Sequence, residues 1–174
     1  EQTGVRAHFG GLTSHRALAM VAEAQKQGLA VSADVTAHHL HLTEHDIGFF
    51  NTECHVRPPL RSTRDRDALR AALKSGVLGA ICSDHQPHEP DAKLAPFAES
   101  EPGISGLETL LPLTLRLVDE KLLTLPEAIA LLTVKPAEIL GIESGSLAVG
   151  STADVCIFDP NVHWKLHTER LVSR

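Results

Sequence analysis

The sequence lacks the marks of several protein classes. No basic run occurs, and the formal net charge is −6 over 174 residues. That balance argues against nucleic acid or an anionic membrane surface as a partner. No apolar stretch is long enough to span a bilayer. Cysteine is scarce: Cys54, Cys82 and Cys156 are the only three, and none forms a CxxC pair. Two of them lie in apolar, strand-like runs, so buried free thiols in a reducing compartment are expected. No signal-peptide pattern is visible. Residue 1 is Glu, so the start of the protein is expected to be missing, and a cytoplasmic location is expected. HExxH is absent, as are low-complexity tracts and internal repeats beyond a β–α rhythm.

What is present supports a globular α/β protein. Hydrophobic residues make up 43% of the chain, enough for a real core in one domain, or one domain with a small appendage. Gly4 to Phe9 reads as a short strand. Ser14 or Thr13 can cap a helix with Leu18, Val21, Ala22 and Gln25 on one face, ended by Gly28. Leu29 to Thr36 reads as a second strand. Ser62-Thr63 opens a helix with Ala68, Leu69, Ala72 and Leu73 inward, stopped by Gly76, and Val77 to Cys82 is a third strand. Successive β–α–β units predict a parallel sheet.

Residues 85–104 carry Pro87, Pro90, Pro96, Pro102 and Gly103 and read as a long loop, a type of segment that is often functional. The pattern turns helical from Ser105 to Leu117. Thr124-Leu125-Pro126-Glu127 is a capping box, and Pro136 starts a short helix ending at Gly141. Turn-rich sequence follows, then a predicted strand over 153–160. Two units are therefore expected, 1–141 as partial barrel and 142–174 as a small β appendage.

Ser83-Asp84-His85-Gln86-Pro87-His88 follows the third strand. In parallel α/β folds, chemistry is done at the carboxyl ends of strands. His8 ends the first strand, Thr36-Ala37-His38-His39 the second and Asp84 the third, so these groups are expected on one rim. Hydrolytic zinc takes His nitrogen and Asp oxygen and leaves a position for water, whose pKa it lowers. A carboxylate beside it can accept and return a proton. The ligand count falls short of the three that catalytic zinc needs, so the sequence reads as part of a site. His41 is expected to face solvent, and His45, His55, His163 and His167 to be surface histidines.

Asp34-Val35-Thr36-Ala37-His38-His39-Leu40, Leu42-Thr43-Glu44, Arg57-Pro58-Pro59-Leu60-Arg61 and Asp84-His85-Gln86-Pro87-His88 together resemble the class I dihydroorotases. Gly103-Ile104-Ser105-Gly106-Leu107-Glu108-Thr109 continues the match. Gly145-Ser146-Leu147-Ala148-Val149-Gly150 with Ala153-Asp154 is a pattern shared more widely by amidohydrolases. The resemblance implies a TIM-barrel enzyme holding one or two zinc ions. It would reversibly cyclise N-carbamoyl-L-aspartate to L-dihydroorotate in pyrimidine biosynthesis. It implies that His8 is a zinc ligand ending barrel strand six, and that Asp84 is the strand-eight metal ligand and general acid/base. It further implies that His88 contacts the substrate carboxylate and that Pro102 and Gly103 contact its ring. Where the family usually has Asn, this chain has Arg57, which could bind a carboxylate bidentately or block the pocket.

A full TIM barrel takes about 250 residues. The chain thus resembles the carboxyl-terminal part of a dihydroorotase, about strands six to eight, and is expected to be inactive alone. The associations expected are a homo-oligomer and aspartate transcarbamoylase. The latter is the partner of non-catalytic dihydroorotase-like chains, the alternative reading. Those chains typically lose the histidine pair and the aspartate, whereas His38, His39 and Asp84 are present here. A hydantoinase or allantoinase is the further alternative.

Overall fold

A computed structural model describes residues 3–167, 169 and 171–173. Three strands form one parallel sheet in the order β1 (Ala7–Phe9), β2 (Val31–Thr36), β3 (Ala80–Cys82). His8 stands opposite Ser32, and Thr36 opposite Cys82, so the carboxyl ends of all three strands lie on one edge. Helix α1 (His15–Lys26) connects β1 to β2, and α2 (Thr63–Ser75) precedes β3.

The helix boundaries follow from local chemistry. The Ser14 hydroxyl accepts from the Ala17 amide at the start of α1. Ser62 does the same for Asp65 at the start of α2, and Gly76 ends α2 in the left-handed conformation that glycine adopts at least cost. Three further helices follow: α3 (Leu110–Asp119), α4 (Leu125–Ala130) and α5 (Val134–Leu140). The Thr124–Glu127 capping box forms as expected, and Gly141 closes α5. The third helix opens at Leu110 rather than Ser105. The amides of Gly106 and Leu107 donate to His85 Nδ1, each at 3.1 Å, which holds those residues out of the helix.

The two faces of the sheet differ, as a period of two requires. Ala33, Val35 and Ile81 point into a core shared with Leu18 and Val21 of α1, Leu69 and Leu73 of α2 and Leu117 of α3. Ala33 and Val35 are wholly buried. Ser32, Asp34 and Cys82 lie on the opposite face and are only half-buried. A parallel sheet with both faces covered would be apolar on both. This one is polar on the face that α1 and α2 leave open.

The predicted strand over 153–160 does not form. Among the described residues after Gly141 there is no strand, and Val149, Val155 and Ile157 are exposed. A strand exists only by pairing its amides and carbonyls with a neighbour. No second strand lies beside this segment among the described residues, so the expected strand is unpaired.

Candidate functional site

The open polar face carries a connected group of side chains. His8, from β1, reaches across to β2. Its Nδ1 lies 2.8 Å from Ser32 Oγ, and its Nε2 donates to Asp34 Oδ2 at 2.9 Å. The other carboxylate oxygen of Asp34 accepts from the Gly11 amide at 2.6 Å and from the Cys82 thiol at 3.4 Å. Asp34 therefore ties together all three strands and the turn after β1. The sequence pattern assigned it no role. Its signal is a carboxylate between Ser32 and Thr36 on the polar side of an alternating strand.

Cys82 is a structural donor rather than a nucleophile. Burial, with the Asp34 carboxylate beside it, pushes its thiol up to about 12, and Asp84 adds to the same effect. Asp84 stands two residues beyond the end of β3, and its charge acts on both Cys82 and His39. Asp84 has φ +44°, in the left-handed region, and Gln86 Nε2 donates to its Oδ1 at 3.0 Å. Asp tolerates that conformation better than most residues. Strained backbone of this kind costs on the order of 1 kcal/mol and clusters at functional sites.

The histidine pair is not on the rim with His8. His38 and His39 are buried, with ring centroids 4.5 Å apart. His39 donates from Nε2 to the Pro59 carbonyl at 3.3 Å, so its Nδ1 is the acceptor for the Thr36 hydroxyl at 2.6 Å. Burial lowers its pKa and keeps it neutral. Burial, with His39 alongside, pushes His38 down to about 3, and its Nε2 has no hydrogen-bond partner among the described residues. His41 is not solvent-facing either. Its Nε2 donates to the Leu113 carbonyl at 2.9 Å, and Arg70 approaches Nδ1.

The loop residues form a second cluster. His88 Nε2 donates to the Pro102 carbonyl at 3.1 Å. Neutral His88 then offers only a lone pair at Nδ1, so it can donate to an anion through Nδ1 only when doubly protonated. The Gly103 amide donates to the His55 carbonyl at 2.8 Å, and the Gly103 carbonyl accepts from Lys93 Nζ at 2.8 Å. The backbone polar groups of Pro102 and Gly103 are therefore engaged within the protein. His88, Lys93 and Gly103 border a cleft of about 560 Å³. His55 is half-buried rather than a surface histidine, stacked on Phe97 at 4.6 Å and bonded to Ser100 Oγ. Arg57 is exposed, and no hydrogen bond or ion pair joins it to His8, Asp34, Asp84 or His88 among the described residues.

The donor set is too small for zinc. Among the described residues, no group of three or more His, Cys, Asp or Glu side chains converges where a metal could sit. His8 is already bonded through both ring nitrogens. These residues by themselves do not make the three-ligand site that catalytic zinc requires.

Known proteins place this arrangement in context. Residues 36–172 match the model of the amidohydrolase family. A "Dihydroorotase-like protein" of Pseudomonas putida is 54% identical over 160 residues, covering 92% of this chain and 38% of that protein. A "Dihydroorotase" of Syntrophotalea carbinolica is 41% identical over 174 residues, covering 100% of this chain and 41% of its own length. The chain thus spans about two fifths of the curated relatives it matches. Among solved structures, a D-hydantoinase from Bacillus sp. AR9 superposes with a TM-score of 0.87 at 26% identity, covering 96% of this chain and 39% of that one. A polar rim at the carboxyl ends of parallel strands and a family match over most of the sequence agree: the chain belongs to the amidohydrolase family.

Proposed function

We propose that this chain is the part of a dihydroorotase-type cyclic amidohydrolase that carries barrel strands six to eight. The whole protein would interconvert N-carbamoyl-L-aspartate and L-dihydroorotate in cytoplasmic pyrimidine biosynthesis. One observation carries the reading: Asp84 stands in a left-handed conformation at the strand ends, beside the polar face built by His8, Asp34 and Cys82. In the proposal Asp84 takes the proton of the attacking water and delivers it to the ring nitrogen as the C–N bond breaks, and runs the same transfer backwards when the ring closes, while His88 meets the substrate carboxylate. Gly103 and Pro102 shape the ring pocket, and Arg57 stands at its edge. Asp84, and His8 once a ring nitrogen exchanges Ser32 or Asp34 for the metal, are the ligands this chain would contribute to one or two zinc ions, with the remaining ligands supplied by the rest of the whole protein. The Syntrophotalea carbinolica relative named dihydroorotase, at 41% identity over 100% of this chain, favours this substrate over a hydantoin. A homo-oligomer is part of the same proposal.

The second reading is a non-catalytic dihydroorotase-like subunit that supports aspartate transcarbamoylase. Two observations favour it. The 54% identical relative bears the name "Dihydroorotase-like protein". His8 is also held by Asp34 and Ser32 in a self-contained hydrogen-bond group. One experiment separates the readings. The full-length protein is assayed with dihydroorotate and with carbamoyl aspartate, and its metal content is measured by mass spectrometry. Turnover abolished by Asp84→Asn, with stoichiometric zinc, supports the enzyme. No turnover, no zinc and co-purification with the transcarbamoylase support the scaffold.

A further inference from the structure

We propose that Lys93 is a positioning residue for anion recognition, clamping the 101–103 backbone against His88. The inference rests on the dihydroorotase-type reading and deepens it.

Lys93 lies in the loop after β3, and its ammonium group has three donors. They reach three carbonyls in two parts of the chain: Glu101 and Gly103 of one loop, each at 2.8 Å, and Thr52 at 3.3 Å. The link to Thr52 is reciprocal, because the Thr52 hydroxyl donates to the Lys93 carbonyl at 2.7 Å. No ion pair neutralises Lys93 among the described residues; Glu53 and Glu101 act on it only at a distance. Its charge is thus committed to carbonyl oxygens at the edge of the cleft that His88, Gly103 and Glu53 also border.

The clamp matters because of what lies against it. A Cβ built on Gly103 would stand 2.6 Å from the Gln86 carbonyl and 2.8 Å from His88 Nε2, so the loop backbone is seated directly on the His88 ring. The adjoining Pro102 carbonyl fixes a proton on His88 Nε2 and leaves Nδ1 as the nitrogen facing a ligand, which donates to an anion when the ring carries its second proton. Releasing the Glu101 and Gly103 carbonyls would free this segment to move, and the orientation of His88 would go with it. A residue acting this way should alter substrate affinity far more than the rate of the chemical step.

The test uses the full-length protein that carries this chain. Lys93→Met keeps the aliphatic stem and loses all three donors; Lys93→Arg keeps charge and donors. Expected for Lys93→Met are a KM for dihydroorotate raised about tenfold with kcat within about threefold, and faster amide exchange at 101–104. Lys93→Arg should recover most of the affinity. Should Lys93→Met fail to fold, Lys93→Gln, which retains one amide donor, takes its place. An active protein whose KM and loop exchange are unchanged in the variant overturns the clamp alone, as does a fall confined to kcat. An inactive wild-type protein overturns the functional reading and the substrate role of Lys93 together. Amide exchange then still reports whether the clamp holds the loop.

Discussion

Acid should destabilise this protein through His38, in a way one substitution removes. His38 is buried with an unpartnered Nε2, and its pKa falls from 6.5 to about 3. The cause is loss of solvation, aided by the neighbouring His39. A histidine whose folded pKa lies below its unfolded value opposes unfolding fully only above the unfolded pKa. As pH drops below 6.5 the unfolded chain takes up a proton that the folded chain refuses, so stability falls until the folded pKa is reached. Going from about pH 7.5 to about pH 5, the loss from His38 alone is about 2 kcal/mol, since each pH unit below the unfolded pKa costs about 1.4 kcal/mol. His39 and His41, both lowered by burial, add to it in the same direction. Equilibrium urea unfolding at the two pH values measures the effect. His38→Leu removes the titration and replaces an unpartnered polar atom with apolar volume, so its stability near neutral pH should stay within about 1 kcal/mol of wild type. Its acid-induced loss should be smaller than wild type by about 2 kcal/mol. Equal losses in wild type and variant would refute the reasoning.

Three other outcomes are expected. Ser62→Ala, which removes the cap accepting from the Asp65 amide and the donor to the Asp65 carboxylate, should cost about 1 kcal/mol in urea unfolding. A thiol reagent near pH 8 should modify exposed Cys156 well before Cys82, whose thiol is held protonated by burial and Asp34; peptide mass spectrometry after timed quenching reads the order. Gly106→Ala would drive a Cβ into the Ser83 carbonyl, so the backbone must shift at a cost of about 1–3 kcal/mol, seen as a lowered thermal midpoint.

Much of the architecture is legible in local chemistry. Ser14, Ser62 and the Thr124–Glu127 box each satisfy amides within one helical turn, so three helix starts need no tertiary information. Gly76 and Gly141 mark two helix ends for the same reason. The absence of a strand over 153–160 was not legible, because a strand depends on a partner that no local pattern supplies or rules out. The helix predicted from Ser105 begins late because His85, far away in sequence, captures the amides of Gly106 and Leu107.

The candidate site divides along the same line. By itself the sequence determined the alternating parallel β–α order, and so placed His8 and Asp84 at the carboxyl ends of strands. Periodicity and capping act over a few residues, and strand ends follow from them. Only the tertiary structure decided what those residues meet. It joined His8 to Asp34 and Asp34 to Cys82 across strands, sent His38 and His39 into the interior as neutral groups, and spread three carbonyls around Lys93. The His8–Asp34 and Asp34–Cys82 contacts join residues 26 and 48 positions apart, and burial and hydrogen-bond geometry at such separations are set by packing, not by neighbouring letters.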